Sequence, residues 1–400
     1  MTTAPAKKSD KMIADQIDII DVDCHIQEPV DIWTSRVSKK WGKRVPHVRA
    51  HPESGKPVWF INEEPSIAVA GLSMAGWKEW PPSHPPTLEE ADHAAWDSTV
   101  RLERMDDYGI HTEILYPNVG GFGNQNFMKL GDPALMLECI QAYNDFQVDW
   151  CSIDSKRLIP TTAIPFWDID ATVKEIERCT KMGHRGIIMT GGPENFGSPF
   201  LGDPHWEPMW TVCEELGVPV NFHLGSGGVD VINNVYEDTP SRGKFAQGAV
   251  ALFIGNTRHV MDIIVSGICQ RHPNLNFVSV ESGIGWMPFL LEALDWQWHN
   301  SGVVNAHPEY DLLPSEYFKR QIYACFWFEE QTALNAIEQL GPDNFFYETD
   351  FPHPTSMAPG PASIAIKPKD YVEKFFSQMP EESWRKILRE NAMRVYGIED

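Results

Sequence analysis

The sequence predicts an α/β protein: a single (β/α)8 barrel of the TIM type, with an inserted loop or lid after its first strand. Three observations predict it. Eight short apolar runs alternate with helical patterns and show no recognisable repeat. The runs are near-continuous rather than alternating, as strands covered on both faces require. The glycine-rich dinucleotide fingerprint of the competing architecture, an open doubly wound sheet, is missing.

Taken in order, Asp18–Asp23 (DIIDVD) reads as the first strand, after a flexible tail over residues 1–17. Residues 18–400 form one barrel domain, with no linker long enough to divide it. Residues 45–93 fit no β/α unit. They are rich in Pro, Trp and His and lack an obvious core of their own, so they read as the inserted loop or lid. Thr112–Tyr116 (TEILY) and Leu158–Ile164 (LIPTTAI) are the next strands. GGFGNQN (Gly120–Asn126) follows one of them but lacks the third glycine of a nucleotide loop. The helix Asp170–Lys181 starts with an Asp cap and ends before Gly183. The strand Gly186–Thr190 (GIIMT) precedes the helix His205–Leu216, which stops at Gly217. Val218–His223 (VPVNFH) and Leu275–Glu281 (LNFVSVE) follow, then the Leu- and Trp-rich helix Met287–Trp298. Ile322–Phe328 (IYACFWF) and Phe345–Asp350 (FFYETD) complete the strands. Pro380–Tyr396 contains a closing helix with Glu early and Arg late, matching the helix dipole.

Composition narrows the function. Apolar residues make up 42% and charged residues 22% of the 400, which excludes a disordered chain, a collagen or a coiled coil. With 33 basic and 56 acidic side chains the formal charge is −23, a field that repels phosphate backbones and anionic lipid. No apolar run approaches the roughly 18 residues of a membrane span. The opening MTTAPAKKSDKM has no apolar segment after its basic residues, and the 7 scattered cysteines contain no C-x-x-C. A soluble, reduced, cytoplasmic protein is the expectation. The 15 Trp, 20 Phe and 31 Pro suggest long ordered loops of the kind that build a pocket.

The chemistry-bearing residues fall at strand ends. Asp23 and His25 end the first strand, with Glu28 just beyond. His223 ends the fifth, Glu281 the sixth and Asp350 the eighth, followed closely by His353. In a parallel barrel these ends open on one face, so the groups converge. Imidazoles and carboxylates together suit a divalent transition metal (Zn²⁺, Mn²⁺ or Fe²⁺), and clustered carboxylates repel one another without a cation. Plainer readings stand beside this one. A strand-end Asp caps a helix, a lone His bonds within a core, Glu28 before Pro29 makes a turn, and His353 between two prolines orders a loop. Glu281, between VSV and SGIG, has the least structural excuse. Cys24 faces away from Asp23 and His25 and reads as core. No G-x-S-x-G elbow, H-E-x-x-H, EF-hand or P-loop occurs. The LGSGG loop, Leu224–Gly228, offers backbone N–H groups to a substrate carboxylate.

The pattern D-V-D-C-H-I-Q-E-P (Asp21–Pro29) resembles the opening of the amidohydrolase-related (amidohydrolase 2) family. R-L-I-P (Arg157–Pro160), E-S-G-I-G-W-M-P-F-L-L-E (Glu281–Glu292), Y-E-T-D-F-P-H (Tyr347–His353) and N-A-M-R-V-Y-G (Asn391–Gly397) extend the resemblance along nearly the whole chain. It implies metal ligands at Asp23, His25, His223 and Asp350. It also implies a departure, because many members carry a catalytic His where this chain has Glu281. Glu281 is then either a base, with Asp350 and His353 beside it, or a further metal ligand. The first alternative gives a hydrolase or non-oxidative decarboxylase acting on a small cyclic or aromatic, carboxylated substrate. The second gives a carboxylate-rich iron site, dinuclear if Glu28 joins it, that activates oxygen. A non-catalytic metal-binding scaffold is the third reading. Trp286, Trp327 and Phe351, with Trp33 and Phe328, lie near strand ends and would line a flat apolar pocket; packing is the plainer role. The family resemblance also implies a homodimer or homotetramer.

Overall fold

The computed structural model describes residues 11–227 and 240–399. Its central strands are all parallel and fall in two abutting sheets. The first runs β1 (Ile19–His25), β5 (Ile110–Tyr116), β6 (Leu158–Pro160). The second runs β7 (Thr162–Ala163), β8 (Ile187–Ile188), β9 (Val220–His223), β10 (Phe277–Val280), β11 (Ile322–Phe326), β12 (Phe345–Tyr347). β6 and β7 flank Thr161 within the single predicted run Leu158–Ile164. The Arg185 N–H donates to Pro160 O at 3.1 Å and the Thr162 N–H to Gly186 O at 2.8 Å, so both halves meet the same neighbour. At the other end, the His25 N–H donates to Phe351 O at 2.7 Å and the Asp350 N–H to Asp23 O at 3.0 Å. Every predicted strand is present, with ends shifted by a few residues.

Two apolar clusters hold this arrangement. The larger lies between strands and helices. The smaller contains Ile20, Val22, Ile114, Ile188, Val278 and Phe346, joined by Val395 and Tyr396 from the last helix, Asn391–Tyr396. The Tyr396 hydroxyl donates to Asn221 Oδ1 at 2.8 Å, which pins that helix under the strands.

The inserted segment is more ordered than the sequence suggested. β2 (His47–Ala50), β3 (Pro57–Ile61) and β4 (Glu64–Ala68) form a small antiparallel sheet. Its buried Trp59 packs edge-on to Trp33, with ring centroids 5.1 Å apart, so the insertion shares the main core. The Met74 and Ala75 N–H groups both donate to Pro352 O, at 2.9 and 3.0 Å, tying the segment to the loop after β12.

Two expectations need correction. Residues 1–10 lie outside the described residues, but Ile13–Asp15 is a docked helical turn. Ile13 is buried and its N–H donates to Glu373 Oε2 at 2.8 Å, so the 1–17 tail is not wholly flexible. The helical stretch Ser241–Val265 is also long and apolar enough, by length and composition, to meet a test for a membrane span. Core helices pass the same test. This stretch is interrupted at Ile254–Gly255, and its buried Asn256 donates to Phe222 O at 2.8 Å.

Candidate metal centre and cavity

The site begins with an irregularity in β1. Ile20 and Val22 face the interior cluster, and strict alternation would turn Cys24 inward next. A register shift between Asp21 and Cys24 inserts one residue relative to β5. That bulge reverses the parity, so Asp23 and His25 point inward and Cys24 outward, where its thiol donates to Asp21 Oδ2 at 3.2 Å. Arg101, fully buried, fixes the strand end by donating to the His25 carbonyl at 2.7 Å while paired with Glu113 at 2.7 Å.

Asp23, His25, His223 and Glu281 bring one donor atom each to a common point. His25 Nε2 lies 3.1 Å from His223 Nε2 and 3.3 Å from Asp23 Oδ1. His223 Nε2 lies 3.5 Å from Asp23 Oδ1 and 3.4 Å from Glu281 Oε2. Donors about 2.0–2.2 Å from one ion sit about 3.0–3.5 Å from each other, so these separations fit a shared cation. The imidazoles are oriented for it. His25 Nδ1 faces Pro117 O at 3.1 Å and His223 Nδ1 faces Leu224 O at 3.0 Å. Each Nδ1 can therefore carry the proton, leaving both Nε2 lone pairs toward the centre. Both Asp23 oxygens and Glu281 Oε2 are buried with no hydrogen-bond partner. Three orphaned acceptors beside two imidazoles are a donor set that a divalent ion satisfies.

The carboxylates' electrostatics agree, while His223, which burial alone would lower, is raised above its ordinary range by Asp23 and Glu281. Burial raises the Glu281 carboxyl well above the ordinary range, and the neighbouring Asp350 raises it further; burial and Asp23 do the same to Asp350. Burial opposes ionisation of Asp23, yet His223 and His25 hold it below the ordinary range. Burial and His353 push His25 down to about 3, and burial takes His353 to about 3. Glu281 and Asp350 also sit at φ 53° and 56°, a left-handed conformation costing about 1–2 kcal/mol each. The Glu281 N–H is held by Glu348 Oε2 at 3.3 Å and the Asp350 N–H by Asp23 O.

Asp350 and His353 form a second unit. His353 stacks on His25 at 3.7 Å, and its Nδ1 is 2.7 Å from Asp350 Oδ1. Asn118 sets the proton order. Its Nδ2 donates to Ile26 O at 3.2 Å, so its Oδ1 must accept from His353 Nε2 at 2.8 Å. A neutral His353 then presents a bare Nδ1, and the proton on that 2.7 Å contact belongs to Asp350. Thr355 adds a hydroxyl 2.5 Å from Asp350 Oδ2 and 3.1 Å from Glu281 Oε1. The sequence marks neither Asn118 nor Thr355, which carry no motif of their own, and Glu348 lies within Y-E-T-D-F-P-H without a role assigned to it.

Glu28 stands apart from this cluster. Its Oε1 accepts the Asn118 and Val119 N–H groups at 3.0 and 2.9 Å, which gives it the anchoring role of a turn residue. Burial raises its carboxyl from 4.5 to about 7. The folded state thus binds the proton more tightly, so this stability is full below pH 4.5 and lost as pH rises through about 7. In Glu28→Gln that part of the loss should vanish. Thermal unfolding across this pH range checks it, and an unchanged slope would contradict it.

A cavity of about 760 Å³ opens from Glu281 and His353. Its aromatic lining is Phe122, Phe196, Phe245 and Phe253, not the residues the sequence suggested. Trp286 turns back, its Nε1–H donating to Ser282 O at 2.8 Å, and Trp327 is buried with Nε1–H on Thr355 O at 2.9 Å. Phe351 lies under Arg101, 4.6 Å from its guanidinium. Trp33 is core, and Phe328 is half exposed, outside the lining. Phe122 comes from the glycine-rich GGFGNQN segment and packs 4.3 Å from His223 and 5.3 Å from His25. Gly121, at φ 85°, supplies a turn that side chains resist, and a Cβ on Gly123 would lie 2.8 Å from Thr190 Cα. Among the described residues, the lining's charged side chains are Glu281, Lys129 and Lys244. In the LGSGG loop, Gly228 lies outside the described residues.

A family model described as Amidohydrolase matches residues 20–398. Gamma-resorcylate decarboxylase from Rhizobium sp. is 26% identical over 323 residues, 78% of this chain and 90% of its own. An amidohydrolase from Mycobacterium avium subsp. paratuberculosis K-10 superposes with a TM-score of 0.75 at 22% identity, over 95% of this chain and 99% of its own. A dihydroxybenzoic acid decarboxylase from Polaromonas sp., solved with manganese and the inhibitor 2-nitroresorcinol, gives 0.59 at 19% identity, over 95% and 97%. The fold is an amidohydrolase α/β fold related to TIM-barrel enzymes.

Proposed function

Because this chain belongs to the amidohydrolase family, we propose that it is a metal-dependent, non-oxidative decarboxylase of a carboxylated aromatic small molecule. One observation carries the reading furthest: the Asp350 carboxyl, 2.7 Å from His353 Nδ1, stands beside a cluster of orphaned metal donors at the end of an aromatic cavity. Asp23, His25, His223 and Glu281 would hold the ion. A bound divalent ion (Zn²⁺, Mn²⁺ or Fe²⁺) supplies a Lewis acid that offsets the substrate's charge and the charge developing on its ring.

The chain's own residues do the rest. Loss of CO₂ without oxidation needs a proton added to the ring carbon that bears the carboxylate. The C–C bond then breaks, and its electron pair restores the ring. Asp350 gives that proton from Oδ1, where the bare Nδ1 of His353, fixed by Asn118, orients it, and a proton from solvent restores the carboxyl after CO₂ leaves. Phe122 supplies a face for the ring, and the apolar wall excludes water. Lys129 and Lys244 attract an anion toward a chain that is otherwise strongly acidic. An oxygen-activating di-iron site loses its support, since Glu28 is committed to two backbone N–H groups.

Stripping with a chelator should abolish CO₂ release from 2,6-dihydroxybenzoate, and added Mn²⁺ should restore it. Turnover that survives complete metal removal would contradict the reading.

The eight parallel strands are best read as one closed barrel, with residues 45–93 as a lid. The bonds joining β1 to the loop after β12, and Ile67 and Leu72 in the cavity lining, support this. A homo-oligomer is also part of the reading. Phe289 and Trp296, 79% and 61% exposed, lie two turns apart on one face of the helix Met287–Asn300. Charging both with Glu should yield monomers in sedimentation; an unchanged mass would remove that face from the interface.

A further inference from the structure

We infer that the preferred substrate is an aromatic acid whose ring carries an extended apolar substituent, rather than a single small ring. The inference rests on the decarboxylase reading above. The cavity, about 760 Å³, lies in the upper part of the range of about 300–1,000 Å³ that holds drug-sized ligands. Counted at about 30 Å³ per water in the liquid, that is room for about 25 waters. Its walls differ along their length. Next to the metal donors, Phe122 is the lining aromatic in ring contact with the histidines among the described residues. Another part of the wall is the helix Ser241–Phe253, which contributes Phe245, Gly248, Ala249, Leu252 and Phe253. Phe253 packs on Trp327 and Phe328, 5.2 and 5.5 Å away, and makes no ring contact with the histidines.

A carboxylated single ring seated at Phe122 would leave that part of the wall uncovered among the described residues. An alkyl or second-ring substituent would cover it, and each buried methylene tightens binding about fourfold. Gly248 and Ala249 are the small residues of that wall, and glycine inside a helix is otherwise unfavourable.

The test uses the Mn²⁺-loaded full chain. Calorimetry compares resorcinol, the expected product of a single-ring acid, with 4-hexylresorcinol and 5-hexylresorcinol. CO₂ release is measured in parallel from 2,6-dihydroxybenzoate and its hexyl derivatives. At least one hexyl compound should bind about a hundredfold tighter than resorcinol, and the matching acid should show a similar gain in kcat/KM. Gly248→Leu, which strengthens the helix while filling the space, should bring the binding ratio down toward one. Equal affinity for all three phenols would overturn the inference, as would a preference untouched by Gly248→Leu. Tight, Gly248-dependent binding of a hexyl compound with no CO₂ released from any acid would keep the ligand class and reject the reaction.

Discussion

Asp350→Asn should lower kcat for CO₂ release by about 10²–10⁴-fold, the usual worth of a positioned general acid, while the protein keeps its metal. The amide has nearly the same shape and can still bond Thr355 and His353, so the fold and the Asp23–His25–His223–Glu281 cluster should survive. What it lacks is an acidic proton to give to the ring carbon. Asn118 and His353 fix that proton on Asp350 in the wild type, so no neighbour is placed to replace it. Metal content by mass spectrometry and turnover on the same preparation read both halves. Loss of metal together with activity would make Asp350 a ligand and return the proton to Glu281.

His223→Ala should have the opposite signature. Removing an outer hydrogen-bond partner of a ligand typically costs about 10–100-fold in metal affinity, so removing an inner donor should cost at least about 100-fold. Activity at limiting metal should fall with it and recover partly at high Mn²⁺. The fold should persist, because His223 is tied to the structure by one backbone contact, to Leu224 O, while β9 remains paired on both sides. Full metal occupancy in this variant would show that the donor set is wrong.

The strands were legible because a parallel sheet buries both faces and writes long apolar runs. The site was legible because ionisable residues at buried strand ends have few structural uses, so Asp23, His25, His223, Glu281 and Asp350 stood out. Their division of labour was not. In the proposed assignment, which carboxylate completes the donor set and which carries the proton rests on Asn118, whose Nδ2 donates to Ile26 O nearly a hundred residues away. The β1 bulge was invisible too, since it exists only relative to β5. The cavity wall was misassigned for a geometric reason. Trp327 and Phe351 follow strand ends but turn into the strand–helix core, whereas the true wall comes from loops and the helix Ser241–Phe253. A signal for Phe122 was present: an aromatic residue between glycines, where small neighbours allow close approach to the site.

Replacement of a ring carboxylate by a proton without oxidation can be followed by turning over 2,6-dihydroxybenzoate, or its preferred hexyl derivative, in D₂O under nitrogen with the Mn²⁺-loaded protein. The expected result is one CO₂ per acid consumed and a phenol carrying a single deuterium at the vacated carbon, with no requirement for oxygen. Absence of CO₂ from every acid, or a hydroxylated product that forms only when oxygen is admitted, would contradict it.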